Sequence, residues 1–285
     1  MFSITGNTIL ITGGGSGIGR ALAEAFHAKG NKVIITGRNA SKLSAVEKAN
    51  PGIVSRELDV DDPARIKAFA QEIVAEFPDL NVVINNAGIM RAEDLKSGDA
   101  DTAKATITTN LLGPIRLNAA LLPHLMAKPT ATIFMVSSGL AYVPLTLTPT
   151  YCATKAAIHS YSQTLRSQLK GSTVRIVELV PPYVQTELMG PAQAFDPNAM
   201  PLADYISETM RLLEAEPGSE RVLVERALFF VRAEREDRYA STFAITTDRF
   251  GAGERLFAVL FIQHPNSLGF SHQSHMATTM RRVLG

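Results

Sequence analysis

Short apolar runs alternate along the chain with longer segments in which apolar positions recur at helical spacing. The runs are Thr8 to Thr12, Lys32 to Thr36, Ile53 to Leu58, Asn81 to Asn85, Thr130 to Ser137 and Thr173 to Val180. Most are nearly continuous in Val, Ile, Leu and Phe, which is how a strand covered on both faces reads. Helical patterns lie between and after them: Ile18 to Lys29, Ser41 to Ala49, Pro63 to Phe77, Thr102 to Met126, Pro149 to Leu169 and Pro201 to Glu216. Asp61-Asp62-Pro63 makes a good helix start, with an acid before a proline in the first turn. Strand, helix, strand, repeated, predicts right-handed crossovers and an α/β fold: a doubly wound parallel sheet of the Rossmann type, with helices on both faces. Arg221 to Glu225 predicts a short last strand and Ala227 to Tyr239 a further helix.

Two stretches break the rhythm. Pro181, Pro182, Gly190, Pro191 and Pro197 punctuate residues 181–200, which read as a long loop over a site. From Asp248 onward the periodicity dissolves into a polar tail around Leu256 to Ile262. The expectation is one domain over residues 1–247 and a tail of unassigned structure over 248–285.

Composition narrows the function classes. Of 285 residues 46% are hydrophobic, enough for a sizeable core. A formal net charge of +1 offers no basic field, so neither nucleic acid nor a membrane surface is expected as a partner. Cys152 is the single cysteine, which excludes an internal disulfide and a cysteine-based metal site. It reads as a small helix-packing residue, with an oxidant-sensitive thiol as the alternative. His264, His272 and His275 lack a neighbouring carboxylate, and no metal is expected. Met1 to Asn7 carry no basic or long apolar leader, and no apolar run approaches the roughly 18 residues that span a bilayer. A cytoplasmic location is the expectation.

Three motifs carry chemistry. Thr12-Gly13-Gly14-Gly15-Ser16-Gly17-Ile18-Gly19 follows the first strand and opens a helix. Glycines there let the backbone approach a pyrophosphate, and free amides at a helix N-terminus favour its charge. Tyr151 and Lys155 lie four apart on a predicted helix, side by side on one face, with Ser138 thirteen residues before Tyr151. An ammonium near a phenol favours the phenolate, so the Tyr151 pKa is expected to fall. A tyrosine so tuned exchanges protons with a substrate oxygen. Taken alone, the pair reads equally as a surface Tyr and Lys on an amphipathic helix. Asn85-Asn86-Ala87-Gly88 ends the fourth strand. Its asparagines either tie strand ends together or line a crevice.

Together and in this order the motifs resemble the short-chain dehydrogenase/reductase family, over roughly residues 5 to 240. The glycine spacing and length resemble its shorter, single-domain branch. Pro181-Pro182 and Val222-Leu223-Val224-Glu225-Arg226 also look like the group of DltE-type oxidoreductases. The resemblance implies an NAD(P)-binding domain and a hydride transfer between nicotinamide and a ketone, aldehyde or secondary alcohol. It implies Tyr151 as acid and base, and Lys155 as binder of the nicotinamide ribose and tuner of Tyr151. Ser138 would polarise the carbonyl, and Asn110 would hold a water that links Lys155 to solvent. Ser137 competes with Ser138, and the thirteen-residue spacing favours Ser138. Cofactor contacts are implied at Gly13, Ser16, Gly17, Ile18, Gly19, Arg38, Asp59, Val60, Asn86, Ala87, Gly88, Pro181, Val184 and Thr186. The family usually has Pro-Gly where this chain has Pro181-Pro182. The second proline removes an amide and fixes φ beside the nicotinamide contacts.

Cofactor choice, pocket and assembly complete the expectations. Gly37 stands at the end of the second strand, where an NAD enzyme places an acid for the ribose 2′-hydroxyl. Arg38 beside it suits a 2′-phosphate, so NADP(H) is preferred and NAD(H) remains possible if Arg38 is only a solvated charge. Ile89, Met90, Leu140, Tyr142, Tyr183, Leu188, Met189 and Phe195 are the candidate pocket wall. They contain no Arg or Lys and imply a small apolar carbonyl or alcohol substrate. The resemblance implies a homodimer or homotetramer paired through the helices at 102–126 and 149–169, with Leu111, Leu112, Ile115, Leu165 and Leu169 as apolar candidates. A nucleotide-sensing protein on the same fold, or a non-redox isomerase or dehydratase, are the alternatives.

Overall fold

The computed structural model describes residues 1–98 and 100–251, the side chains of 248–251 excepted. The tail reading, its apolar run and the three late histidines lie outside the described residues. The strands are β1 (Thr8–Thr12), β2 (Lys32–Gly37), β3 (Val54–Glu57), β4 (Leu80–Asn85), β5 (Ala131–Val136), β6 (Val174–Leu179) and β7 (Arg221–Val222). They form one parallel sheet in the order β3-β2-β1-β4-β5-β6-β7. The order reverses between β1 and β4, and at such a switch point the strand ends open a crevice where α/β sheets bind ligands.

The helices are α1 (Gly17–Ala28), α2 (Ala40–Ala49), α3 (Pro63–Glu76), α4 (Asp101–Ile107), α5 (Gly113–Met126), α6 (Pro149–Gln168), α7 (Leu202–Ala215), α8 (Glu225–Val231) and α9 (Tyr239–Gly251). Strand alternation divides the core between two layers. Ile9 and Ile11 of β1 pack with Leu22 and Phe26 of α1, Val46 of α2 and Tyr205 of α7. Leu10 points to the other face and packs with Phe69 of α3, Leu117 and Leu121 of α5 and Ile158 of α6. Each such fully buried side chain contributes about 1.5–3 kcal/mol. Asp62 caps α3 as its sequence requires: one carboxylate oxygen accepts from the amides of Ala64 and Arg65 at 2.8 and 3.0 Å, with Pro63 in the first turn.

The helix expected over 102–126 is interrupted by a π turn at Thr108–Leu112, which holds Asn110. Such turns frequently mark functional sites. The helix expected over 227–239 is two: α8 ends at Val231 and α9 begins at Tyr239. Asp237 between them takes φ 53°, a left-handed conformation that the sequence did not flag because no glycine stands there. The last strand is two residues, not five. No helix among the described residues is long and apolar enough to cross a membrane.

Candidate active site

The glycine loop fits because four of its glycines have no room or no ordinary backbone for a side chain, Gly14 being closed off by Ile35. Gly13 takes φ +68° against Ala87 and Gly17 takes φ +52° opposite Thr186. A Cβ on Gly19 would stand 2.4 Å from the Asn86 amide nitrogen and from the Gly13 carbonyl oxygen. Gly19 is therefore a packing position between loop and helix, whereas Gly13, Ser16, Gly17 and Ile18 line the cavity above the sheet. Ser16 is the N-cap of α1 and its hydroxyl makes no capping bond.

The asparagines after β4 do both of the jobs expected of them. Asn86 donates from Nδ2 to the Thr12 carbonyl at 3.0 Å, and Thr12 Oγ1 accepts from the amides of Asn86 and Ala87, each at 3.0 Å. Asn85 donates to Asn118 Oδ1 at 2.8 Å inside the core. The bonds tie the ends of β1 and β4, and Asn86, Ala87 and Gly88 line the cavity.

Ser138 ends the β5 segment and caps a short 3₁₀ turn, its Oγ accepting from the Leu140 amide at 3.1 Å. The same hydroxyl stands beside the phenol of Tyr151 and acts to lower its pKa. Ser137 also lines the cavity, but its hydroxyl is engaged, donating to the buried Glu178 carboxylate. Tyr151 is 7% exposed and Lys155 5%. Glu93 fastens the loop after β4 to the start of α6, accepting from the Thr150 amide and hydroxyl at 3.0 and 2.6 Å. Asn110 brackets Ile89, accepting from its amide at 2.8 Å and donating to its carbonyl at 2.9 Å, and reaches Thr154 Oγ1 at 3.3 Å.

The expected fall of the Tyr151 pKa is corrected by the structure. Burial pushes the phenol well above its usual range, and the neighbouring Ser138 hydroxyl draws it back only in part. The Lys155 ammonium lies 5.5 Å from the ring centroid and donates to the Val136 carbonyl at 2.8 Å. Burial pulls Lys155 itself down to about 8. The gap from its ordinary 10.5 corresponds to a penalty of roughly 3 kcal/mol on the folded protein. Below pH 8 the ammonium is charged in both states and the penalty is full. Between pH 8 and 10.5 the folded state releases its proton first, and the penalty is lost. The stability of wild type relative to Lys155→Met should therefore rise across that window in urea unfolding. A difference that stays flat from pH 7 to 10.5 would show that Lys155 is not held charged at a cost.

A cavity of about 650 Å³ joins these groups. Gly13, Ser16, Gly17, Ile18, Arg38, Asn86, Ala87, Gly88, Ser138, Tyr151, Lys155, Pro181, Val184 and Thr186 line it. So do Ile89, Met90, Leu140, Tyr183, Leu188 and Met189 of the expected wall. Asp59, Val60, Gly19 and Asn110 are not among its lining residues. Asp59 accepts from the Asp61 amide at 3.0 Å, and Val60 packs on Gly113 at the start of α5. Two expected wall residues are elsewhere. Phe195 is 84% exposed. Tyr142 turns to His159 at 3.2 Å and Arg221 at 3.3 Å. The wall also holds residues that the loop reading missed: Leu145, Gln193, Phe229 and Phe230 of α8, and Ile245 and Thr246 of α9. It includes two cations absent from the expected set, Arg91 and Lys42. Both are exposed, and Lys42 reaches Glu187 at 3.5 Å.

The 181–200 segment is braced rather than loose. Gln193 donates to the Val184 carbonyl at 2.8 Å and to Thr186 Oγ1 at 3.1 Å. Met200 donates its amide to the Tyr183 carbonyl at 2.8 Å. Pro181 keeps its carbonyl bonded to the Gly139 amide at 2.9 Å. Leu165, expected on an outer assembly face, is in the core beside Ile158. Among the described residues no group of three or more His, Cys, Asp and Glu is arranged to hold a metal.

A parallel sheet with a glycine cradle at its switch point, opening beside a buried Ser, Tyr and Lys, defines a nucleotide-dependent oxidoreductase site. The sequence profile described as short chain dehydrogenase matches residues 7–196. The Bacillus subtilis (strain 168) protein named Uncharacterized oxidoreductase DltE is 44% identical over 187 residues, covering 65% of this chain and 74% of its own. The NADP-dependent 3-hydroxy acid dehydrogenase of Schizosaccharomyces pombe (strain 972 / ATCC 24843) is 32% identical over 194 residues, 66% of this chain and 75% of its own. A solved short-chain dehydrogenase from Streptomyces avermitilis superposes with a TM-score of 0.73 at 25% identity, covering 84% of this chain and 96% of that one. The chain belongs to the short-chain dehydrogenase family. It is an NAD(P)-dependent dehydrogenase/reductase of that family.

The residues present suit a dinucleotide. The side-chain-free approach at Gly13 and Gly17, the uncapped start of α1 and a continuous lining from Arg38 to Tyr151 match its phosphates, riboses and rings in chemistry.

Proposed function

We propose that the protein is an NADP(H)-dependent carbonyl reductase or alcohol dehydrogenase whose substrate is apolar around the reacting carbon. One observation carries this reading: Ser138, Tyr151 and Lys155 meet at a cavity whose walls include the apolar side chains of Ile89, Met90, Leu140, Leu145, Leu188, Met189, Phe229, Phe230 and Ile245. When bound, NADPH supplies the hydride that reduces the carbonyl carbon. Tyr151 donates its phenolic proton to the carbonyl oxygen. Burial keeps that phenol protonated near neutral pH, which suits the reductive direction. Ser138 Oγ, beside the Tyr151 phenol, orients the same oxygen. The Lys155 ammonium stands close enough to stabilise the phenolate left behind. Gly13, Ser16, Gly17, Ile18, Asn86, Ala87, Gly88, Pro181, Val184 and Thr186 are the cofactor contacts in this reading, with Arg38 toward the 2′-phosphate. Asp59, Val60 and Gly19 act behind them by shaping the crevice. Asn110 holds the π turn against Ile89, and we assign it the water that links Lys155 to solvent. A dimer or tetramer paired through α5 and α6 belongs to the same reading, with Leu111, Leu112, Ile115 and Leu169 partly buried there.

The test is a panel of ketones, aldehydes and 2-oxo acids, followed by NADPH absorbance. A matched hydrophobic ketone should exceed a small 2-oxo acid in kcat/KM by about tenfold or more, since each buried methylene is worth roughly 0.8 kcal/mol. Arg91 is the one lining cation near Met90 in sequence that offers a carboxylate a partner. A clear preference for the 2-oxo acid would move the substrate reading to Arg91.

A further inference from the structure

Burying a carboxylate is costly unless it is hydrogen-bonded. Glu178 lies in β6 between Val177 and Leu179 and is fully buried. Its carboxylate accepts from Ser137 Oγ at 2.5 Å. It also meets His159 Nδ1, at 2.8 Å from one oxygen and 3.1 Å from the other. Gln163 donates to His159 Nε2 at 2.8 Å, so the imidazole proton sits on Nδ1 and points at Glu178. Tyr142 packs on the His159 ring, centroids 4.8 Å apart, and Arg221 reaches its hydroxyl.

The three elements joined here are the ones that carry the reacting groups. Ser137 is the residue before Ser138. Tyr151, Lys155 and His159 are spaced four apart, one stripe along α6. We propose that Glu178 is a positioning residue: from β6 it holds the Ser137 end of β5 and the His159 stripe of α6 at a fixed separation, and so sets Ser138 against Tyr151 and Lys155. An apolar side chain would fill the place but join nothing. The same bond occupies the Ser137 hydroxyl, which leaves Ser138 as the strand-end hydroxyl that meets Tyr151.

The proposal rests on Ser138, Tyr151 and Lys155 being the reacting set, and its test separates the two. Glu178→Leu, Glu178→Gln and Tyr151→Phe are assayed with NADPH and a hydrophobic ketone. Turnover is counted per NADPH-binding site from a fluorescence titration, so unfolded protein does not enter. Glu178→Leu should lower kcat per site by about tenfold or more, because displacements on the order of 1 Å are felt strongly in turnover, while the NADPH Kd changes less than about threefold. Glu178→Gln should restore kcat to within about threefold of wild type, since its oxygen still accepts from Ser137 and its NH2 donates to Nδ1 once the imidazole takes its other tautomer and the exposed Gln163 turns its amide oxygen toward Nε2. If Glu178→Leu yields no folded protein, His159→Leu on the partly exposed face of α6 breaks the same link and should cost about threefold or more in kcat per site. Wild-type kcat per site in these leucine variants beside an inactive Tyr151→Phe overturns the positioning role alone. So does a Gln variant as slow as the Leu variant. A fully active Tyr151→Phe overturns the reading of the site and this proposal with it.

Discussion

Tyr151→Phe should lose about 10²-fold or more in kcat while binding NADPH within about threefold of wild type, the loss typical of a group that transfers a proton in the transition state. The ring is buried against Leu145 and Cys152, and phenylalanine keeps that packing. Only the hydroxyl goes, and with it the proton for the carbonyl oxygen. The two measurements separate chemistry from binding, because the phenolic oxygen is one contact among many on the cavity wall. A variant that keeps more than about a tenth of wild-type kcat would put the proton donor elsewhere. Cys152 beside it is buried, its thiol pushed up by burial and engaged with Leu145 and Thr148, so it offers no substitute acid.

The candidate site residues were legible because the roles proposed for them fix local spacing. A pair four apart on a helix, a serine at a strand end and glycines after β1 each follow from chain-local geometry. The parallel, doubly wound sheet followed from strand–helix alternation, and the ends of the first six strands agree within a residue or two, whereas the last strand is shorter than its apolar run suggested. The cavity walls were less legible. Phe229, Phe230, Ile245 and Thr246 reach the site from α8 and α9, long after the loop that sequence pattern marked, and only tertiary placement brings them there. Phe195 and Tyr142 were misplaced for the converse reason. Each is near the site in sequence, but Phe195 sits on an exposed 3₁₀ turn and Tyr142 is drawn to His159. The π turn at Asn110 was not read from apolar periodicity, since Thr108-Thr109-Asn110-Leu111-Leu112 holds too few apolar positions to show the change of phase.

The shifted Tyr151 prediction shows the same limit in electrostatics. Spacing puts Lys155 beside Tyr151, but it does not say how far each is removed from water. Burial dominates both groups, raising the phenol and lowering the ammonium, and the 5.5 Å separation does not offset it. Sequence spacing thus anticipated that the two side chains are neighbours and misjudged the balance between them.

Arg38→Ala should collapse the preference for NADPH over NADH. Arg38 follows Gly37 at the end of β2, where no carboxylate waits for a ribose 2′-hydroxyl, and it lines the cavity with Ser16 and Lys42. The structure adds a partner that the strand end alone did not reveal: Asp61, from the turn before α3, lies 3.5 Å from the guanidinium. Its other oxygen accepts from Thr109 at 2.7 Å, so the carboxylate is held in place. An ion pair this long and this exposed is worth about 0–1 kcal/mol, too little to keep Arg38 from a phosphate. A charge-assisted contact to a 2′-phosphate is worth about 1.5–3 kcal/mol, roughly 10- to 100-fold in kcat/KM. Wild type should therefore favour NADPH, and Arg38→Ala should cut the NADPH-to-NADH ratio of kcat/KM by about tenfold or more with the NADH value nearly unchanged. Asp61→Asn, which leaves Arg38 without its competitor, should move the ratio the other way. A wild type that prefers NADH would return Arg38 to the role its pairing with Asp61 already gives it, a surface charge at a strand end.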